Sequence, residues 1–366
     1  MKKVAVNTKR NTNIEILRII AILLIVISHY SVHNVTNVKE LSFGINKILL
    51  QMMTLGNIGS ELFMLITGYY LINSSKVKLS KLLKLWLQII FYSVGVYILF
   101  VLLNLEPFSY KTFIKSFFPI TFEEYWFASV YFIIYLFHPY INVMINNLTK
   151  KDFIKLISLG LIVFSVLNFI TGQLYYFNEL IQLIIIYLIG AYYGKYKDNY
   201  LNKNKSVKLF IISLLILTLS TIGLELLNNK ISIKFINYLY SRNSFIVVMI
   251  SVSLFNIFKS NKEFSNKIIN NVSSCVFGVY LLSETPVMRS YLWKNIFNNY
   301  NYISSYYLII HMLISVLLTF IACLIIEEIR KLTLELFYNK FISKRVDNIS
   351  EKLNNFYLKL VNNFVK

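Results

Sequence analysis

Residues 13–31, NIEILRIIAILLIVISHYS, carry Glu15, Arg18 and His29 within an otherwise apolar run, and His33 follows two positions later. An ionisable side chain inside a membrane span costs at least about 2.5–3.5 kcal/mol, so three of them in one span ask for a function. On a helix turning about 100° per residue, Arg18 and His29 are about 1100° apart, which brings them back to one face about 16 Å apart along the axis. Glu15 stands three residues before Arg18 and can pair with it. An imidazole titrates near neutrality and suits a proton acceptor. A guanidinium offers a fork that matches a phosphate or a carboxylate. Base catalysis beside an anion-binding group is therefore the chemistry this helix can support, with His29 as the base. Glu15 and Arg18 also fit an interfacial pair that snorkels to the headgroups.

Glu61, in the next apolar run, is the candidate carboxylate to hold the His29 tautomer, or else a buried acid paired elsewhere. His29 and His33 are four residues apart, a metal-compatible spacing, but no third ligand is identifiable, so no metal is expected. His138 and His311 read as packing residues.

The elements that position these groups must be membrane helices. The chain has 366 residues, of which 57% are hydrophobic and only 15% charged; mean hydropathy is +0.60. A soluble domain carries roughly 25% charged residues. The apolar residues form runs of about 20, the length that crosses a hydrocarbon core about 30 Å thick. No segments of alternating polarity suggest a barrel, so the expected fold is all-α, a polytopic membrane bundle of about ten transmembrane helices. The approximate spans are 14–33, 48–72, 82–103, 125–144, 153–170, 177–194, 209–227, 241–258, 268–288 and 305–328. The first run lacks a small-residue cleavage site and reads as an uncleaved span. Cys275 and Cys323 both fall inside spans, so no disulfide is expected.

The net charge of +20 does not call for nucleic acid. With the N-terminus inside, about 28 of the 37 Lys and Arg fall on the cytoplasmic face, as the positive-inside rule requires. Both termini are then cytoplasmic. Residues 104–124 form the longest outer segment, expected to lie along the interface around 110–118. A membrane domain over 1–328 is followed by a basic tail, 329–366. There Ile342, Val346, Ile349, Leu353, Phe356 and Leu360 recur at steps of three and four, as in an amphipathic surface helix or a short coiled coil.

Arg18, ten intervening residues and then His29, opening the first span, resemble the signature of the acyltransferase family 3 membrane proteins. Residues 59–71, GSELFMLITGYYL, look like that family's second span, with Thr67 in place of Ser. Trp126, Phe127, Tyr131, Tyr135, Pro139 and Asn142 are similar to its fourth helix, and 276–281, VFGVYL, to its Phe-Gly-Ile-Tyr-Leu segment. The resemblance covers about 13–325. Two positions depart from it: Ser283 stands where many relatives have His, and Lys81 and Lys84 stand where arginines are usual.

The resemblance implies a multi-pass O-acetyltransferase of the bacterial cell (inner) membrane that decorates a cell-envelope glycan. It implies no bound cofactor; acetyl-CoA or another acyl-CoA is the co-substrate on the inner side. A hydroxyl of an extracytoplasmic polysaccharide or lipid-linked glycan is the acceptor on the outer side. Lys81 and Lys84, with Lys76 and Lys78 nearby, are candidates to hold the anionic donor, and equally fit ordinary positive-inside lysines. Trp126, Tyr131, Glu284 and Arg289 are candidates for the acceptor side. Glu284 and Arg289 could instead pair with each other. In this picture Arg18 and His29 share one continuous cavity. His29 acts either as base for direct transfer or as an acyl-carrying nucleophile. A transporter or flippase for a glycan intermediate or small solute would also place Arg, Glu and His inside a bundle.

Overall fold

The computed structural model describes residues 10–33, 41–171, 179–196 and 202–352. Among them there is no strand. The helices, in order, are α1 (Thr12–Val32), α2 (Ile45–Met53), α3 (Gly56–Leu71), α4 (Leu79–Leu102), α5 (Tyr110–Phe117), α6 (Trp126–Asn146), α7 (Lys150–Leu161) and α8 (Leu167–Thr171). They continue as α9 (Glu179–Tyr196), α10 (Lys203–Leu227), α11 (Lys230–Leu239), α12 (Phe245–Lys259), α13 (Lys267–Glu284), α14 (Pro286–Tyr291), α15 (Leu308–Arg330) and α16 (Leu336–Phe341). A π-helical turn, Ile162–Val166, joins α7 to α8, and another, Lys331–Glu335, joins α15 to α16.

Each of the ten apolar runs is helical, so the chain is a polytopic helical membrane protein. Seven helical stretches among the described residues have the length and apolarity to cross a membrane, fewer than the ten expected. The shortfall has a local cause in α12, whose apolar stretch has only 15 residues. The bundle's polarity is inverted relative to a soluble protein. On α15, Leu313, Leu317, Ile321 and Ile325 are exposed, whereas Ser315, Thr319 and Glu327 are buried.

The first helix is fixed at its start. The Asn11 side chain accepts from the Asn13 backbone N–H at 3.0 Å, a standard N-cap. Thr12 Oγ1 donates to Asn270 Oδ1 at 2.8 Å and accepts from the Asn266 N–H at 2.8 Å. The starts of α1 and α13 are thereby pinned together, and the two helices run side by side in the same direction. Small residues bring α3 close on both flanks. A Cβ on Gly59 would run into the Ala21 carbonyl of α1, and one on Gly68 into the Tyr187 carbonyl of α9.

Asn142 closes the end of α3. Its Nδ2 donates to the carbonyls of Leu71 and Ser74 at 2.7 and 2.9 Å, while its Oδ1 accepts from Tyr187 Oη at 2.7 Å. His138 and His311 do pack between helices: His138 meets Ser74 Oγ at 3.2 Å, and His311 stacks on Tyr302 with ring centroids 3.7 Å apart. The cysteines are free and buried.

The helical stretch that begins at Leu308 runs on past 328 to Phe341, with its apolar part followed by Glu327, Glu328, Arg330, Lys331 and Glu335. Tyr338 Oη donates to the Ser80 carbonyl at 2.7 Å, which holds this extension against α4. Residues 343–352 are also helical, with Ile349 exposed. Of the expected tail pattern, Leu353, Phe356 and Leu360 lie outside the described residues.

Candidate functional site

The parallel run of α1 and α13 brings the last turns of both helices together. Glu284, at the end of α13, places Oε2 at 3.1 Å from Nδ1 of His29 and at 3.0 Å from Nε2 of His33. His33 is hydrogen-bonded to the carboxylate, whereas His29 Nδ1 lies within reach of it but off the line of a hydrogen bond. Arg289, one turn further on, approaches Oε1 at 3.3 Å. The two imidazoles are adjacent, with centroids 5.0 Å apart.

His29, His33 and Glu284, though not Arg289, line a cavity of about 370 Å³, together with Ser28, Asn57, Ser60, Trp126, Arg242 and Tyr280. Arg242 lies flat over Trp126, its guanidinium carbon 3.7 Å from the ring centre. It also donates to Glu179 at 2.7 Å.

The other end of α1 lines a second cavity, of about 350 Å³, at the lysine-rich end of the bundle. Arg10, Arg18, Lys84 and Lys331 supply four cations, and Glu15, Glu327 and Glu335 three carboxylates. Most of these charges are already paired. Lys84 meets Glu335, and Lys331 meets Glu328 at 2.8 Å. Glu327 accepts from Gln88 at 2.9 Å, from Tyr92 at 2.6 Å and from Arg330 through two nitrogens at 2.8 Å. Gly278 in the VFGVYL segment makes this possible, because a Cβ there would overlap the Glu327 carboxyl. Arg18 differs from these: it stands 3.9 Å from Glu15, its Nε is buried without a partner, and Glu15 instead accepts from Ser273 Oγ at 2.5 Å. A third cavity, of about 230 Å³, opens beside it and is lined by Arg18, Lys81, Tyr131 and Tyr135.

The expected single cavity is therefore two cavities, with Arg18 on one and His29 on the other. They share one lining residue, Phe127. Its ring is buried and sits in a set of aromatic contacts: Phe63 at 6.0 Å, Tyr131 at 6.2 Å and Tyr280 at 6.0 Å between centroids. Four helices, α1, α3, α6 and α13, line both cavities. The Phe127 ring is the side chain that borders both spaces.

Several expected positions are redistributed. Glu61 does not hold His29; it is buried on the opposite flank of α3, where its neighbours are Gln182 and Ser251. The helical face that carries Glu61 turns towards α9 and α12, and Glu284 occupies the place expected for it. Tyr131 lies on the Arg18 cavity rather than beside Trp126 on the His29 cavity, because it stands more than a turn deeper along α6. Lys84 and Lys81 line different, adjoining cavities. Ser283 turns back to its own helix, donating to the Val279 carbonyl at 2.8 Å.

The third ligand not identifiable from spacing is Glu284. Atoms of His29, His33 and Glu284 lie within 4.8 Å of one another, a set that could hold a divalent cation. Arg242, Tyr280, Arg10 and Lys331 were not among the expected site residues. Arg242 carried one signal, a single arginine at the outer end of an apolar run, and Tyr280 another, its place in the VFGVYL segment.

A family model described as an acyltransferase domain matches residues 11–328. No curated protein matches the chain, and no solved structure does.

Proposed function

We propose, from the premise that this chain belongs to acyltransferase family 3 and is a membrane acyltransferase, that it moves an acetyl or similar short acyl group from cytoplasmic acyl-CoA to a hydroxyl of an extracytoplasmic polysaccharide or lipid-linked glycan. The observation that carries this reading is the pair of cavities at opposite ends of α1, one cationic and one holding a histidine–carboxylate cluster, which share Phe127 in their linings. The lysine-rich end faces the cytoplasm by the positive-inside rule, which gives the Arg18 cavity to the donor and the His29 cavity to the acceptor. The membrane is the bacterial inner membrane, with both termini on its cytoplasmic side.

Each side chain then has a task. Arg18, with its fork not committed to another side chain, meets an anionic group of the donor, and Lys84, Lys331 and Arg10 add positive charge at the mouth. Lys81 serves the adjoining cavity. The pantetheine arm carries the thioester past Phe127, whose ring must turn aside. Glu284 keeps the proton of neutral His29 on Nδ1, so that Nε2 is free to take the proton of the acceptor hydroxyl. As that proton leaves, the acceptor oxygen bonds to the acyl carbon. The C–S bond then breaks, and the CoA thiolate is released and takes up the proton. A relay through an acyl-His29 uses the same groups. Trp126 and Arg242 offer a flat surface and hydrogen bonds to a sugar, while Arg289 holds Glu284.

Two cavities meeting at one ring would also serve a transporter, so the test reads chemistry and movement together. Purified protein in liposomes, given labelled acetyl-CoA on the basic side and a glycan on the other, is expected to label the glycan. Passage of unaltered glycan without labelling would overturn the proposal. His29→Ala should insert normally and leave the host polysaccharide without O-acyl groups by NMR; undiminished acylation would remove His29 from the mechanism.

A further inference from the structure

Tyr280 is the tyrosine of the VFGVYL segment and has no part in the scheme above. Its hydroxyl is buried with no side chain to hydrogen-bond to and only the Phe127 backbone beside it, and the residue is 3% exposed. It nevertheless lines the His29 cavity. Such a hydroxyl is costly at membrane depth unless something arrives to meet it.

Its position identifies what would arrive. Tyr280 and Glu284 are one turn apart on α13, so the hydroxyl shares a face with the carboxylate that touches His29. One turn earlier on the same helix, Val276 and Phe277 line the Arg18 cavity instead. Tyr280 is thus the first residue of α13 on the histidine side of the partition. Its ring is held by Phe127 at 6.0 Å and Tyr125 at 6.2 Å between centroids. Tyr125 is itself tied to Thr285 through its hydroxyl at 2.9 Å. The phenol is therefore pre-positioned by packing, as electrostatic stabilisation of a transient charge requires.

We infer that Tyr280 is a catalytic residue, donating its O–H to the acyl carbonyl oxygen where the thioester emerges past Phe127. This rests on the acyl-transfer reading above. When the acceptor oxygen adds to the acyl carbon, His29 holds the acceptor's proton. The former carbonyl oxygen then carries the negative charge, and the Tyr280 hydroxyl hydrogen-bonds to it without giving up its proton. Collapse of this intermediate restores the C=O bond and expels the CoA thiolate. If the acyl group passes first to His29, the hydroxyl serves the same oxygen in both steps.

Tyr280→Phe removes only the donor. In proteoliposomes, kcat is expected to fall roughly a hundred-fold, with KM for acetyl-CoA within about twofold of wild type, because the ground-state carbonyl gains less from the bond than the oxyanion. A trifluoromethyl-ketone analogue of acetyl-CoA, which hydrates to mimic the tetrahedral intermediate, should lose affinity by a similar factor. Thermal stability should be little changed, since the buried hydroxyl that is removed bonds to no side chain. Transfer by wild type with kcat of Tyr280→Phe within threefold of it would overturn the Tyr280 assignment alone, as would an equal loss of kcat with unchanged analogue binding. Absence of transfer by wild type would overturn the acyl-transfer reading and this one with it.

Discussion

Glu284 and His29 meet at 3.1 Å although they lie near opposite ends of the chain. The contact exists because α1 and α13 are pinned at their starts through Thr12 and Asn270 and run in parallel to a common end. A histidine that acts as a base needs one nitrogen occupied and the other free. In the proposed transfer Glu284, 3.1 Å from Nδ1, is the group placed to meet this need.

Glu284→Gln keeps the size of the side chain and removes its charge. Transfer is expected to fall by about 10²–10⁴-fold, the range associated with losing general-base assistance. Glu61→Gln should stay within a few-fold of wild type, because Glu61 faces Gln182 and Ser251 instead. Rates of both variants measured in the same liposome assay check this. The reverse ranking would return the orienting role to Glu61.

The choice between these two glutamates marks the limit of what spacing alone discloses. A helical membrane bundle is legible because the apolar runs approach a bilayer's length requirement, which seven of the helical stretches meet, and Arg18 and His29 share a face of α1 by helical arithmetic alone. Which carboxylate reaches His29 depends on which helix packs beside α1 and in what direction, and no local pattern records that. Glu61 is nearer in sequence but turns away on α3. The division of the expected cavity in two is invisible for a related reason. Phe127 belongs to a Trp-Phe pair that any bundle could contain, and only the packing of four helices brings both cavities to its ring. Tyr131 illustrates the same point at smaller scale, since five residues along α6 carry it from one cavity to the other.

His29, His33 and Glu284 also have the composition of a metal site, and chelation distinguishes the two uses of the same atoms. Arg289 already supplies a cation to the Glu284 carboxylate at 3.3 Å. Dialysis of the purified protein against EDTA is therefore expected to leave transfer unchanged. A loss restored by adding zinc would reassign the cluster as a metal centre and make the proton-acceptor role of His29 untenable, since a neutral imidazole coordinated through Nδ1 carries its proton on Nε2 and has no lone pair there to accept another.

Phe127→Ala should join the two cavities. With the ring gone, water and longer chains gain access to the thioester while Arg18 and His29 stay in place. The expected result is more hydrolysis of acetyl-CoA per transfer event, and better use of longer acyl-CoA donors such as butyryl-CoA relative to acetyl-CoA. Quantifying free acid and acylated glycan with a series of donors measures both. An unchanged hydrolysis ratio and chain-length profile would mean that Phe127 does not separate the reactants.

Arg18 makes a prediction of a different kind, because in the proposed scheme it meets the donor and not the reacting atoms. Its buried Nε has no partner and its nearest carboxylate is 3.9 Å away, so an incoming anion finds the fork available. Charge-assisted hydrogen bonds of this type contribute about 1.5–3 kcal/mol, which corresponds to roughly a ten- to hundred-fold change in affinity. Arg18→Gln should therefore raise KM for acetyl-CoA by that factor and leave kcat at saturating donor within a few-fold. Added salt should raise the wild-type KM as well, and that of the variant less, since one of the screened contacts is already missing. Lys331 is partnered by Glu328 and Asn271, so Lys331→Gln should raise KM by a smaller factor. Initial rates against acetyl-CoA concentration at two ionic strengths separate these cases. If Arg18→Gln lowers kcat and leaves KM unchanged, the guanidinium acts in the chemical step and not in holding the donor, and the assignment of this cavity to acyl-CoA loses its main support.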